Sequence, residues 1–260
     1  NQALLRAIGE QELLQEVCRI IKEDCGYRLV WIGITGQDDA KTVRPVAQAG
    51  YEEGYLKTVN ITWADTERGR GTTGTAIRTG KPVIHQDILT NPDSAPWRAE
   101  ALKRGYASSA AIPLFMGDQV LGALNIYATQ PDAFAPEEMV LLTELAGDLA
   151  YGIMSLRTRA ERKQVEKAII RAKEEWERTF DAASELIMIL DREYRIVRAN
   201  HAMAEKVGLT PAALIGRTCY TCFHGSTEPP PGCPHTQLVA DGRKHATEMH
   251  EEHLGGDLLI

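Results

Sequence analysis

The chain has 260 residues, is 43% hydrophobic and 25% charged, and carries a formal net charge of −7. That balance is ordinary for a globular protein of one or two domains. It leaves no dominant basic patch for nucleic acid, and no run of about 18 apolar residues for a membrane span. The five cysteines make an odd count, two early (Cys18, Cys25) and three late (Cys219, Cys222, Cys233). Such a distribution is not a disulfide framework and fits a reducing cytoplasm. Asn1-Gln2-Ala3-Leu4-Leu5-Arg6 opens like the middle of a helix, with neither a starting Met nor a signal peptide. It reads as part of something longer.

In chain order, residues 3–23 repeat apolar side chains at helical spacing: Leu4, Leu5, Ile8, Leu13, Leu14, Val17, Ile20, Ile21. Residues 27–35 are aromatic and β-branched and residues 42–49 alternate, so both predict strands. Residues 73–78 predict a short helix stopped at Gly80, residues 82–85 a short strand and residues 97–104 another short helix. Residues 107–115 and 119–128 predict two strands joined through Met116-Gly117-Asp118. Pro136 then opens a long helix, at a position that tolerates proline. This order predicts an antiparallel α+β domain over residues 1–156, with helices at both ends.

The segment Gly71-Thr72-Thr73-Gly74-Thr75-Ala76-Ile77-Arg78-Thr79-Gly80-Lys81-Pro82-Val83 resembles the centre of GAF domains. So do Ser108-Ser109-Ala110-Ala111-Ile112-Pro113-Leu114, Val120-Leu121-Gly122-Ala123-Leu124-Asn125-Ile126-Tyr127 and the exit Phe134-Ala135-Pro136-Glu137-Glu138. The resemblance covers residues 10–156. It implies a sensory domain, often dimeric, with a small-molecule pocket over one face of a six-stranded antiparallel sheet. From the resemblance and from their places at strand and helix edges, Trp63, Thr73, His85, Trp97, Tyr106 and Ser108 are expected to line that pocket.

Sharper chemistry is poorly supported in this unit. Gly69-Arg70-Gly71-Thr72-Thr73-Gly74 spells the dinucleotide fingerprint. It lacks the apolar strand before it and the crossover helix after it, so it reads as a glycine-rich pocket rim. The Asn-Lys-Phe-Asp-Glu motif of cyclic-nucleotide-binding GAF domains is missing. A covalent bilin needs a cysteine here, and none stands between Gly26 and Thr218. His85 could ligate haem, though an isolated histidine at a strand end is more often an ordinary polar residue. Catalytic residues are not expected: no nucleophile or carboxylate-pair constellation stands out.

The long helix is read over 136–183. Its apolar residues Leu142, Leu145, Leu149, Ile153, Leu156 and Ala160 recur at steps of three and four, and the stripe resumes at Val165, Ile169, Ala172, Trp176 and Phe180. Between them, residues 157–167 are charged and have little to bury in their own domain. The segment is therefore expected to project and pair with a second copy over residues 142–180. A solvated helix joining two globular units is the alternative.

Residues 184–260 predict a second α+β domain, with residues 157–183 as linker. Residues 186–191 and 195–199 are expected as paired strands around Asp191-Arg192-Glu193-Tyr194. A short helix is capped by Asn200 and stopped by Gly208, and a second follows Thr210-Pro211. Residues 245–252 and 257–260 are expected as further strands. Phe180-Asp181-Ala182-Ala183, Ile187-Met188-Ile189-Leu190-Asp191, Ile196-Val197-Arg198-Ala199-Asn200 and Leu214-Ile215-Gly216-Arg217 resemble the PAS family, whose five-stranded sheet would be incomplete at residue 260. Within that family the late cysteines look like a cysteine-bearing subfamily, with Pro230 where one cysteine would stand. Cys219, Cys222 and Cys233, with His224 or His235, have the residue types and short spacing for zinc, or for an iron–sulfur cluster. Thiols that merely fill a loop, or pair as an occasional disulfide, are the alternative, favoured by the missing ligand at Pro230.

Taken together, these features point to a sensory fragment of a signal-transduction protein of histidine-kinase type, with an output module elsewhere. A metal- or thiol-centred redox enzyme and a ligand-free dimerisation module are the rival readings.

Overall fold

A computed structural model describes residues 9–251 and 255–260. Leu4, Leu5 and Ile8 of the expected first helix lie outside them, as does the end of the strand expected over 245–252. The chain divides into two compact units, residues 1–163 and 164–260.

In the first unit, α1 (Glu10–Cys25) precedes β1 (Leu29–Thr35) and β2 (Val43–Gly50). Then come α2 (Tyr55–Thr58), α3 (Thr72–Thr79), β3 (Val83–His85), α4 (Arg98–Lys103), β4 (Ser108–Met116) and β5 (Gln119–Ala128). The strands form one antiparallel sheet in the order β2-β1-β5-β4-β3. Alternation sends successive side chains to opposite faces. Val30 and Ile32 of β1, Ile112 and Leu114 of β4, and Leu124 and Ile126 of β5 pack under α1 and the long helix α5 (Pro136–Ala182). Leu29, Trp31, Ala123 and Tyr127 face the other way.

Among the described residues the sheet has five strands rather than the expected six. Residues next to β2 form only the isolated bridge Thr42–Thr62, with Val43 N–H donating to the Ile61 carbonyl at 3.0 Å. Val59 is helical and Asn60 has φ 42°, so the backbone cannot stay extended there. The outer edge of β2 is nonetheless covered. Gln11 and Gln15 of α1 donate to the Val46 and Gln48 carbonyls, each at 2.7 Å.

Helix α5 is 47 residues long. The first half of its stripe does not await a second copy: Leu142, Leu149 and Ile153 are buried against the sheet and α1 of their own unit. Apolar periodicity identifies a face that wants cover, and here the sheet supplies it. Tyr27 donates to Glu138 at 2.5 Å, and Arg157 bonds both oxygens of Glu10 at 2.6 and 2.8 Å, fastening α5 to α1 and to the turn before β1. One 18-residue window of α5 reaches a mean hydropathy of 1.4, apolar enough by composition to cross a membrane. The burial of Met139, Leu142, Ala146 and Leu149 within this unit marks it as a core helix. Past residue 163 the stripe is largely exposed: Val165 and Ile169 are 59% and 64% exposed, while Trp176, at 43%, stacks on Phe180 and carries the Arg198 guanidinium 4.6 Å over its ring.

In the second unit, β6 (Met188–Leu190) pairs with β7 (Ile196–Ala199). Their turn puts Tyr194 at φ 65°, and Asp191 Oδ1 accepts from the Glu193 and Arg195 amides. Helix α6 (His201–Val207) is capped by Asn200 and ended by Gly208 at φ 74°. Helix α7 (Pro211–Leu214) is capped by Thr210. Helices α8 (Cys219–Phe223) and α9 (Pro234–Asp241) follow, then β8 (Glu248–Glu251) paired with β9 (Gly256–Leu259). Among the described residues these strands form two separate pairs.

Candidate functional site

The sheet face away from α1 and α5 carries a second apolar cluster beneath α2, α3 and α4. At its centre the rings of Tyr55, Tyr106 and Tyr127 lie with centroids 4.8 to 5.8 Å apart. The hydroxyls of Tyr55 and Tyr127 are 3.4 Å apart. Burial is the main cause that pushes all three phenols up, so they stay protonated at neutral pH. Trp31 lies fully buried beside Tyr127, and its indole N–H faces the Tyr127 phenol without reaching good hydrogen-bond geometry among the described residues. An unpaired buried donor is uncommon and costly.

Next to this cluster, Tyr55, Arg68, Thr72, Thr73, Trp97 and Tyr127 line a small cavity of about 20 Å³. That is room for about one water. Glycines allow this close packing. A Cβ on Gly71 would stand 2.6 Å from the Trp97 ring. On Gly74 it would stand 2.3 Å from the Gly69 carbonyl oxygen and 2.6 Å from that of Thr62. The glycines of the apparent fingerprint thus serve backbone approach at the rim of the cavity.

The six expected pocket residues divide. Thr73 and Trp97 line the cavity. Thr73 donates to Asn125 at 2.7 Å, and Trp97 Nε1 to the Val59 carbonyl at 3.1 Å. Tyr106 is buried in the tyrosine cluster and donates to the Tyr51 carbonyl. Trp63 packs partly buried against the same cluster, its ring 4.7 Å from the Lys41 ammonium. His85 and Ser108 do not reach the cavity. His85 Nδ1 is 2.7 Å from Ser94 Oγ, and Ser108 Oγ donates to the Gln130 carbonyl at 2.7 Å. Burial lowers the His85 pKa, opposed by the charge of Asp93. Sequence reasoning missed Tyr55, Arg68, Asn125 and Tyr127. The alternation of β5 marks Asn125 and Tyr127 as sharing a face; Tyr55 sits on a four-residue helix with no periodicity to announce it.

In the second unit, Cys219, Cys233, His224 and His235 line one cavity of about 420 Å³, while Cys222 is half-buried in the adjoining core. All five cysteines are free thiols. Burial, with a smaller contribution from Cys233, pushes the Cys219 thiol up to about 11. His235 Nε2 lies 2.9 Å from the Asp191 carbonyl, and its ring meets Tyr194 edge-on. Among the described residues, no three His, Cys, Asp or Glu side chains are placed to hold a metal ion.

The GAF domain family model matches residues 7–154, more than half of the chain, and the chain belongs to that family. A PAS fold model matches residues 180–259. Free methionine-R-sulfoxide reductase from Neisseria meningitidis, solved in complex with its substrate, is similar at 20% identity and a TM-score of 0.52, over 61% of this chain and 86% of that one. The GAF domain of a phosphoenolpyruvate-protein phosphotransferase from Coxiella burnetii is similar at 21% identity and a TM-score of 0.52, over 62% and 91%. At these identities the likeness is one of fold. No curated protein matches the chain. A GAF unit followed by a PAS unit makes this a sensory, regulatory region.

Proposed function

We propose that this region is the sensory part of a histidine-kinase-type signal-transduction protein. Residues 1–156 form the GAF sensor, 157–183 the signalling linker and 184–260 the PAS-like domain, with a separate output module reading the helix. A small ligand binds the first unit at this cavity, which has to widen beyond its room for one water to admit it, and biases two arrangements of α5 in a cytoplasmic homodimer. The observation that carries this reading is α5 itself, whose one continuous backbone is core in the first unit and largely exposed beyond it. Val165, Ile169, Ala172 and Trp176 follow steps of four, three and four, the spacing of a coiled-coil seam, and charged residues flank them. A second copy of the same helix is the occupant that such a seam fits.

The region acts as sensor rather than catalyst. The reductase similar in fold is an enzyme, but the thiols of this first unit are poorly suited to chemistry. Cys18 is fully buried, and burial pushes it up to about 12; neither it nor Cys25 lines the cavity. A thermal-shift screen of small metabolites against wild type and Gly71→Val tests the ligand site. The reading expects a compound that raises the melting temperature of wild type alone. Equal shifts in both proteins, or none across the screen, would contradict it.

A further inference from the structure

The late cysteines are nucleophiles that the sensory reading leaves unused. Helix α8 begins at Cys219, and helix α9 begins directly after Cys233. Both thiols line the cavity of about 420 Å³, with His224 and His235, and both residues are nearly closed to bulk water. Cys222, one helical turn after Cys219, packs instead against the adjoining core.

Tyr194 brings the two helix starts together. The β6–β7 turn holds it at φ 65°. Its carbonyl accepts from the Cys219 amide at 2.9 Å. Its ring meets the His235 ring edge-on, centroids 4.9 Å apart, and its hydroxyl lies 3.0 Å from Thr236 Oγ1. The first turns of α8 and α9 therefore rest on one residue. The chain between them is held as well. Ser226 N–H donates to the Tyr220 carbonyl and Cys233 N–H to the Pro230 carbonyl, each at 3.2 Å. Pro229, Pro230 and Pro231 each fix their own φ, and Gly232 turns the chain into α9 at φ 78°. A stiff, anchored loop loses little entropy when its ends join. A charge on Cys233 is felt at the Cys219 thiol.

Two thiols in one cavity can share a metal or react with each other. A metal needs further ligands, and among the described residues no third His, Cys, Asp or Glu joins them. His235 Nε2 already meets the Asp191 carbonyl at 2.9 Å. The chemistry left is that of the two sulfurs.

We propose that Cys219 and Cys233 are a reversible redox pair, which hydrogen peroxide entering the cavity closes to an intramolecular disulfide joining α8 to α9. The Cys233 thiolate attacks one peroxide oxygen, the O–O bond breaks, and the departing hydroxide takes a proton and leaves as water. The Cys219 sulfur then displaces the hydroxyl of the sulfenic acid, losing its proton as the S–S bond forms and a second water leaves. Two thiols give up two electrons and two protons, and one peroxide becomes two waters. Burial pushes the Cys219 thiol up to about 11, which makes it the slower nucleophile and gives the first attack to Cys233. A dithiol returns the pair to free thiols by exchange, so in a reducing compartment the bridge is transient. The pair is independent of the ligand reading of the first unit.

The reduced full chain is treated with stoichiometric hydrogen peroxide, its remaining thiols are blocked with iodoacetamide, and it is digested without reductant. Chymotrypsin, which cuts after Tyr220 and Phe223, separates the three late cysteines. Mass spectrometry should find the Cys219 and Cys233 peptides joined, and dithiothreitol should release them. Cys222→Ala should leave the link intact, and Cys219→Ala should leave Cys233 as a sulfenic acid that dimedone traps. Should Cys219→Ala fail to fold, the wild-type map decides by itself. A link from Cys222 to either partner, a link between two copies through Cys25, sulfinic acid without a link, or unreacted thiols overturns the pair. A folded Cys219→Ala variant without a dimedone adduct on Cys233 overturns the order of attack.

Discussion

Thr73 Oγ1 donates to Asn125 Oδ1 at 2.7 Å, and the two side chains are 4% and 1% exposed. The bond pins α3, the helix beside the first unit's cavity, to the middle of β5. Asn125 Nδ2 in turn donates to the Ala123 carbonyl at 2.9 Å. Thr73→Val keeps the volume and strands a buried amide oxygen, which costs about 1–3 kcal/mol. Urea denaturation of the first unit should register that loss, and Thr73→Ser, which keeps the hydroxyl, should lose clearly less.

The two glycines at the start of α3 should respond differently to alanine. At Gly71 the new methyl meets the Trp97 ring, a side chain that can turn away. At Gly74 it meets the Gly69 and Thr62 carbonyls, which are backbone and cannot. Gly74→Ala should therefore be the more destabilising by thermal melting. Gly71→Ala should chiefly move Trp97, seen as a change in tryptophan emission with a nearly native melting temperature.

His85 should make the first unit sensitive to acid. Its folded pKa is lowered, so the unfolded chain binds more protons in the window just below the ordinary histidine value of about 6.5. The stability that neutral His85 contributes is present above that value and declines as the pH falls below it. Melting temperatures measured from pH 7.5 to 5 should fall more for wild type than for His85→Gln. Parallel curves would show that His85 contributes nothing to the decline.

Local signals were legible where geometry is local. The β4–β5 hairpin around Gly117, the Asn200 and Thr210 caps and the stops at Gly80 and Gly208 all appear within about a residue of expectation. Helix α9 was not anticipated, although Pro234 at its first turn and Gly242 at φ 71° are standard end signals. What a stripe packs against is a different matter. Leu149 and Ile153 recur like a coiled-coil seam, yet their cover is a sheet formed by strands up to 120 residues earlier in the chain. The cavity shows the same limit. Thr73 and Trp97 were found through their motif, whereas Tyr55 and Tyr127 meet only through the fold.

The contrast within α5 gives the most direct test of the relay. Leu149→Glu buries a charge in the first unit's core and should unfold that unit, as circular dichroism would report. Val165→Glu combined with Ile169→Glu alters only exposed positions of the proposed seam, so it should leave both units folded. Sedimentation equilibrium of the full chain then decides. The account expects wild type at twice the chain mass and the double variant at the monomer mass with unchanged circular dichroism. A monomeric wild type at millimolar concentration, or a double variant that still dimerises, would contradict it.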